Sequence, residues 1–204
     1  TGEEALELLR SEDPSMPDPT VARAVMRLPK DQRVCIILFY VQEMKIREIA
    51  QALEVPMETV DFTLPAAREE KYSFSEGDLV VFATPTYAGK MPNKLLPDFQ
   101  AKLSGSGAAA IALVTYGNRS FDNSLAELNA VLTNNGFSVV AGGAFVCRHA
   151  FSDLLAGDRP DFDDRREAAQ LGEKAAEKLL SGDLTAVAVP GDAEAPYYVP
   201  KGTD

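Results

Sequence analysis

From Gly77 onward, short apolar runs alternate with amphipathic stretches. Leu79–Ala83 reads as a strand that ends in the loop Thr84–Lys90. Pro92 to Leu103 follows with helical spacing, and Pro97 inside it predicts a break or kink, because proline removes a backbone donor and clashes with the preceding turn. Gly105 and Gly107 lead into a second apolar strand, Ala108–Val114, which ends in the loop Thr115–Ser120. Phe121, Leu125, Leu128 and Leu132 mark a helix closed by Asn135-Gly136. Phe137–Val146 is the third strand, and Asp163–Leu180 the last helix, with Ala168, Leu171, Ala175 and Leu179 expected inward. Continuous apolar strands alternating with amphipathic helices predict an α/β fold with a parallel sheet covered on both faces. After Ser181, with Pro190, Pro196 and Pro200, the chain reads as a linker.

Upstream, Thr1 to Met16 is acidic, with no sustained periodicity apart from a short helical stretch at Glu3–Arg10. Asp18-Pro19 is a helix start, and Val21, Ala24, Val25 and Leu28 share one face until Pro29. Val34–Val41 is eight apolar residues long, and its periodicity does not separate a buried strand from a buried helix. Lys45 to Leu53 is helical, with Ile46, Ile49, Ala50 and Leu53 on one side.

Composition narrows the function classes. Twenty basic and 31 acidic residues leave a net charge of −11, which opposes binding to nucleic acid or anionic lipid. Residues 1–70 alone carry 8 Lys/Arg against 14 Asp/Glu. No apolar run approaches membrane-spanning length and no basic-then-apolar leader opens the sequence, so the expected location is the cytoplasm. The two cysteines, Cys35 and Cys147, are far apart in apolar surroundings and read as small hydrophobes rather than as a disulfide or metal framework. No metal site is expected.

In open parallel sheets, ligands sit beyond the carboxyl ends of the strands. The two loops there are Thr84-Pro85-Thr86-Tyr87-Ala88-Gly89-Lys90 and Thr115-Tyr116-Gly117-Asn118-Arg119-Ser120, each combining hydroxyls, an aromatic ring and a glycine. In this order on consecutive strands they resemble the two flavin-contacting loops of flavodoxin-like proteins, of the type in which such a domain precedes a ferredoxin. Cys147 to Ser152 and Gly157 to Asp161 look like the next loop of that group. The resemblance implies a flavodoxin-like three-layer sheet of strand order 2-1-3-4-5, FMN as cofactor, electron transfer to a redox protein such as a ferredoxin, and no catalytic side chain. It also implies that Thr84, Pro85, Thr86, Tyr87, Ala88 and Gly89 pack on the flavin ring, with Tyr87 stacking, while Thr115, Tyr116, Gly117, Asn118 and Arg119 bind its pyrimidine side. His149, the only histidine, reads as a hydrogen-bonded structural group, and Asp161, Asp163 and Asp164 as acids at a helix start.

A second resemblance lies upstream. Arg27-Leu28-Pro29-Lys30-Asp31-Gln32-Arg33, the apolar run, Ile46 to Leu53, Val55-Pro56 and Glu58-Thr59-Val60 resemble region 4 of bacterial sigma factors, a helix-turn-helix that reads promoter DNA. The likeness spans about Asp18 to Val60. Beyond it the chain offers Asp61-Phe62-Thr63-Leu64-Pro65 in place of a basic recognition helix, and Glu54 stands where the turn usually has glycine.

The expected organisation is an acidic tail at 1–17, a sigma-like helical segment at 18–56 and a flavodoxin-like domain at 57–204. Val34–Val41 and Thr59–Leu64 are alternative candidates for the first two strands of that sheet, so residues 34–64 read either as helix-turn-helix or as strand–helix–strand. The phosphate loop of a flavodoxin would fall at Tyr40–Lys45, which has no glycine and places Glu43 where a dianion would sit. Two functions follow: a flavodoxin-like electron-transfer module with weak or absent FMN binding, or a sigma-like transcription protein or an inactive fusion of the two. DNA binding is not expected.

Overall fold

The computed structural model describes residues 57–197. The chain divides into two compact units, Thr1–Val60 and Asp61–Asp204. Val34–Val41, Cys35, the helices expected upstream and Tyr40–Lys45 lie outside the described residues, as do residues 198–204.

The described unit is an α/β fold. After a 3-10 turn at Ala66–Arg68 come β1 (Tyr72–Ser73), β2 (Leu79–Pro85), α1 (Leu96–Lys102), β3 (Leu103–Ser104), β4 (Ala109–Tyr116), α2 (Ser124–Asn134), β5 (Ser138–Val146) and α3 (Phe162–Leu180). Two parallel sheets result, a two-residue pairing of β1 with β3 and a three-stranded sheet of order β2-β4-β5. The three main strands and their helices fall where the apolar runs placed them.

Adjacent glycines of β5 show how the helices lie. A Cβ on Gly142 would meet Leu125 of α2 and Val189, whereas one on Gly143 would meet Leu171 of α3. Successive strand residues point to opposite faces, so α2 and α3 cover opposite faces of β5. At β2 the cover is one-sided: Phe82 and Thr84 are buried, while Leu79 and Val81 on the other face are about half exposed.

The core is built by Phe82, Phe99, Leu103, Leu125, Leu128, Val131, Leu132, Phe137 and Val139, all nearly or fully inaccessible. A row of rings runs through it: Phe62 on Phe99 (5.1 Å), Phe99 on Phe82 (6.1 Å), Phe82 on Phe137 (5.0 Å) and Phe137 on Phe74 (5.8 Å). Tilted and edge-on pairs at these spacings are the arrangements aromatic quadrupoles favour. Leu128 has no accessible surface, so Leu128→Ala should destabilise the unit by about 2–5 kcal/mol, whereas Leu180→Ala, on an exposed position, should change it by less than about 0.5 kcal/mol. Urea unfolding of both variants measures the contrast.

Four expectations are corrected. Thr59–Leu64 is not a strand: the Asp61 carboxylate accepts from Thr63 N (2.9 Å) and Thr63 Oγ1 (2.6 Å), and Leu64 N donates to Asp61 O (3.1 Å). This local turn wins over the β-branched alternation. The helix expected from Pro92 begins only at Leu96, so the break expected at Pro97 takes the form of a helix start, where the missing N–H is not needed. Ala168 is exposed, and only Ala175 of the four expected inward positions on α3 is fully buried, because among the strands α3 packs mainly on β5. The segment after Ser181 is not a linker: Val187 N donates to Val139 O (2.9 Å), and Val187 and Val189 pack on the core.

Residues 61–70 are fastened to this unit. Phe62 stacks between Tyr72 (5.5 Å) and Phe99, Tyr72 Oη donates to Ala67 O (3.0 Å), Arg68 pairs with Asp98 (3.6 Å), and Lys102 Nζ donates to Glu69 O (3.2 Å). Between Met57 and Pro65 there is no helix.

Candidate ligand-binding site

Parallel register brings the three loop starts side by side at the carboxyl edge. Pro85 pairs with Thr115, Thr86 N donates to Thr115 O (2.8 Å), and Cys147 N donates to Tyr116 O (2.8 Å). The loops after β2, β4 and β5 therefore leave the sheet as neighbours.

The first loop folds back at once. Tyr87 N donates to Lys90 O (2.9 Å) and Lys90 N to Tyr87 O (3.1 Å), around Ala88 and Gly89 with φ of 50° and 80°. Two positive φ values in a two-residue turn demand permissive residues, and a Cβ on Gly89 would lie 2.6 Å from Asp122 Oδ2. The turn leaves Tyr87 59% exposed at the edge. Pro85 and Ala88 are also exposed, Thr86 is half-buried with its Oγ1 2.7 Å from Ser124 Oγ, and Thr84 is buried within β2.

In the second loop Thr115, Tyr116 and Gly117 are half-buried, and Asn118 and Arg119 are exposed. Tyr116 packs edge-on against Phe121 (5.5 Å). His149 lies directly on Gly117, where a Cβ would sit 2.6 Å from its Cδ2, and His149 Nδ1 accepts from Phe151 N (3.2 Å). Among the described residues, the N–H groups of Asn118 and Arg119 find no acceptor. Both residues lie on the exposed edge.

The third loop is held by ion pairs. Arg148 pairs with Asp153, and the Arg159 guanidinium grips both oxygens of Asp164. Asp161 and Asp164 form a reciprocal capping box at the start of α3. Hydrogen bonding from Arg159 holds the Asp164 carboxyl down at about 2. These acids are thus spent on the helix start, and among the described residues no cluster has the make-up of a metal site. Burial pushes the Cys147 thiol upward, which makes it a poor thiolate at neutral pH.

One group escaped the sequence reading. Lys90 is 3% exposed, with Nζ 3.1 Å from Glu127 Oε1 and donating to Ala193 O (2.8 Å). Glu127 Oε2 accepts from Met91 N (2.7 Å), and the Tyr197 ring lies 5.7 Å from Lys90 Nζ. Burial, and secondarily the Glu127 charge, raise the Tyr197 phenol above its usual range. The returning tail that completes this cluster carries a faint signal, the alternating Val187 and Val189 and the aromatic Tyr197.

Compared with known proteins, residues 20–70 match the family described as sigma-70, region 4, a quarter of the chain. No curated protein and no solved structure matches the chain. The match agrees with the upstream resemblance and runs ten residues beyond Val60, into the segment that packs on the α/β unit. It does not reach the loops at the sheet's carboxyl edge.

Proposed function

We propose that the chain has two parts: a segment derived from sigma-70 region 4 that has lost promoter reading, and an α/β unit whose loop edge takes a flavin ring. The family match supports a transcription-related origin for the first part, and it stands behind that part alone. The observation that carries the loss of reading is the conformation of residues 57–70. Where the match continues, there is a turn at Asp61, a 3-10 turn at Ala66–Arg68 and a phenylalanine committed to the aromatic row, not a helix free to enter a groove. The promoter titration described in the Discussion tests it.

The flavin reading rests on loop geometry. A flavodoxin-like arrangement would use Tyr87 as the stacking ring and the Asn118 and Arg119 N–H groups as donors to the pyrimidine side, with Gly117 allowing close approach. FMN, when bound, supplies one- or two-electron chemistry, and the role of these residues is to hold and orient the ring. A ferredoxin-like redox protein is the partner this reading implies. Offset or edge-on stacking contributes about 0.5–1.5 kcal/mol beyond area burial. Tyr87→Ala should therefore weaken riboflavin binding about tenfold, and His149→Ala, which faces Gly117 rather than the edge, by less than about threefold. Flavin fluorescence titrations rank the two, and an equal or reversed ranking places the ring elsewhere.

A further inference from the structure

We propose that Lys90 and Glu127 are positioning residues for the Tyr87 turn, and that the returning strap of residues 187–197 couples to that turn through them. The ligand side of this inference rests on the flavin reading above; the coupling itself does not. Tyr87 and Lys90 are joined by a reciprocal pair of backbone hydrogen bonds across a two-residue turn, so the backbone direction of one sets that of the other. Lys90 is fixed from the inside. Its ammonium, buried at 3% exposure, meets Glu127 Oε1 on α2 and Ala193 O on the strap, while the second oxygen of Glu127 takes the next amide, Met91 N.

The outer side of the turn is tied to the same two elements. Asn123 N donates to Gly89 O (2.8 Å), and Asn123 Oδ1 accepts from Asp192 N (2.8 Å). Gly191 lies so close to α2 that a Cβ would stand 3.1 Å from Ala126 Cβ and from Asp122 O. Tyr197 Oη adds a donation to Met91 O (3.4 Å). Strap and turn therefore share three anchors: Lys90 and Met91 within, Gly89 through Asn123 without. A buried cation whose carboxylate partner is neutralised is left paying its desolvation with no compensating charge, so Lys90 should leave the interior and release both segments together.

Amide hydrogen exchange of the full chain separates this coupling from general stabilisation. In Glu127→Gln, peptides covering 84–92 and 187–197 should lose at least about tenfold protection together, while peptides from β4 and β5 keep theirs, and riboflavin binding should weaken about fivefold. Equal loosening of β4 and β5 would reduce Glu127 to an ordinary stabilising residue, and loosening of 84–92 with 187–197 unchanged would remove the coupling. If Glu127→Gln does not fold, Asn123→Ala, which removes only the acceptor of Asp192 N, should loosen the same two segments to a smaller degree; no change in 84–92 overturns the proposal. Failure of the unsubstituted chain to bind riboflavin would overturn the flavin reading and leave the exchange result to decide the coupling.

Discussion

Riboflavin and FMN should bind this chain with affinities within about threefold of each other, both weak. A dedicated phosphate site surrounds a dianion with hydroxyls and backbone N–H groups at a helix N-terminus. The corresponding segment of the sequence reads Tyr40-Val41-Gln42-Glu43-Met44-Lys45, with no glycine to open the backbone and a carboxylate in place of a donor. Charge-assisted hydrogen bonds contribute roughly 1.5–3 kcal/mol each. Losing three removes about 5–9 kcal/mol, more than three powers of ten in affinity, and Lys45 restores only part of it. Parallel fluorescence titrations with the two flavins measure the ratio. Submicromolar FMN binding with a clear preference over riboflavin would mean that another segment holds the phosphate.

Much of the α/β unit was legible because β2, β4 and β5 are apolar runs set between helices of clear period. Their loops follow from strand order, and the candidate residues of both loops lie at one edge because parallel pairing aligns Pro85 with Thr115. What was not legible depended on competition between local and distant contacts. Thr59–Leu64 has strand-forming side chains, but a single carboxylate at Asp61 captures two donors of Thr63 and turns the chain. Pro97 is a breaker by type and a helix start by position. Lys90 falls in a loop by sequence, and nothing in its neighbourhood announces that Glu127, 37 positions on, and the tail near Ala193 close over it. The proline-rich tail looked like a linker because the contacts that dock it, Val187 with Val139 and Asp192 with Asn123, are long-range.

The upstream resemblance was legible as sequence and agrees with the family match, yet sequence likeness and fold part company at its end. Residues 57–70 carry one basic side chain, Arg68, against Glu58, Asp61, Glu69 and Glu70, and Arg68 is engaged with Asp98. A recognition element needs cations to reach phosphates and side chains to reach base edges. Here Phe62 is drawn between Tyr72 and Phe99 instead, so forming a groove-reading helix would cost the unit an aromatic contact and the Asp61 turn.

Titration of the full chain with a promoter duplex and with a shuffled duplex of the same length, by fluorescence anisotropy from low to physiological salt, therefore tests the account most directly. A segment that has lost promoter reading should give a specificity ratio within about threefold of one, and a salt dependence shallower than about two phosphate contacts would give. A promoter preference of about a thousandfold or more at physiological salt, the range of true specific binders, would contradict it and show that residues 20–70 read DNA as their family match suggests.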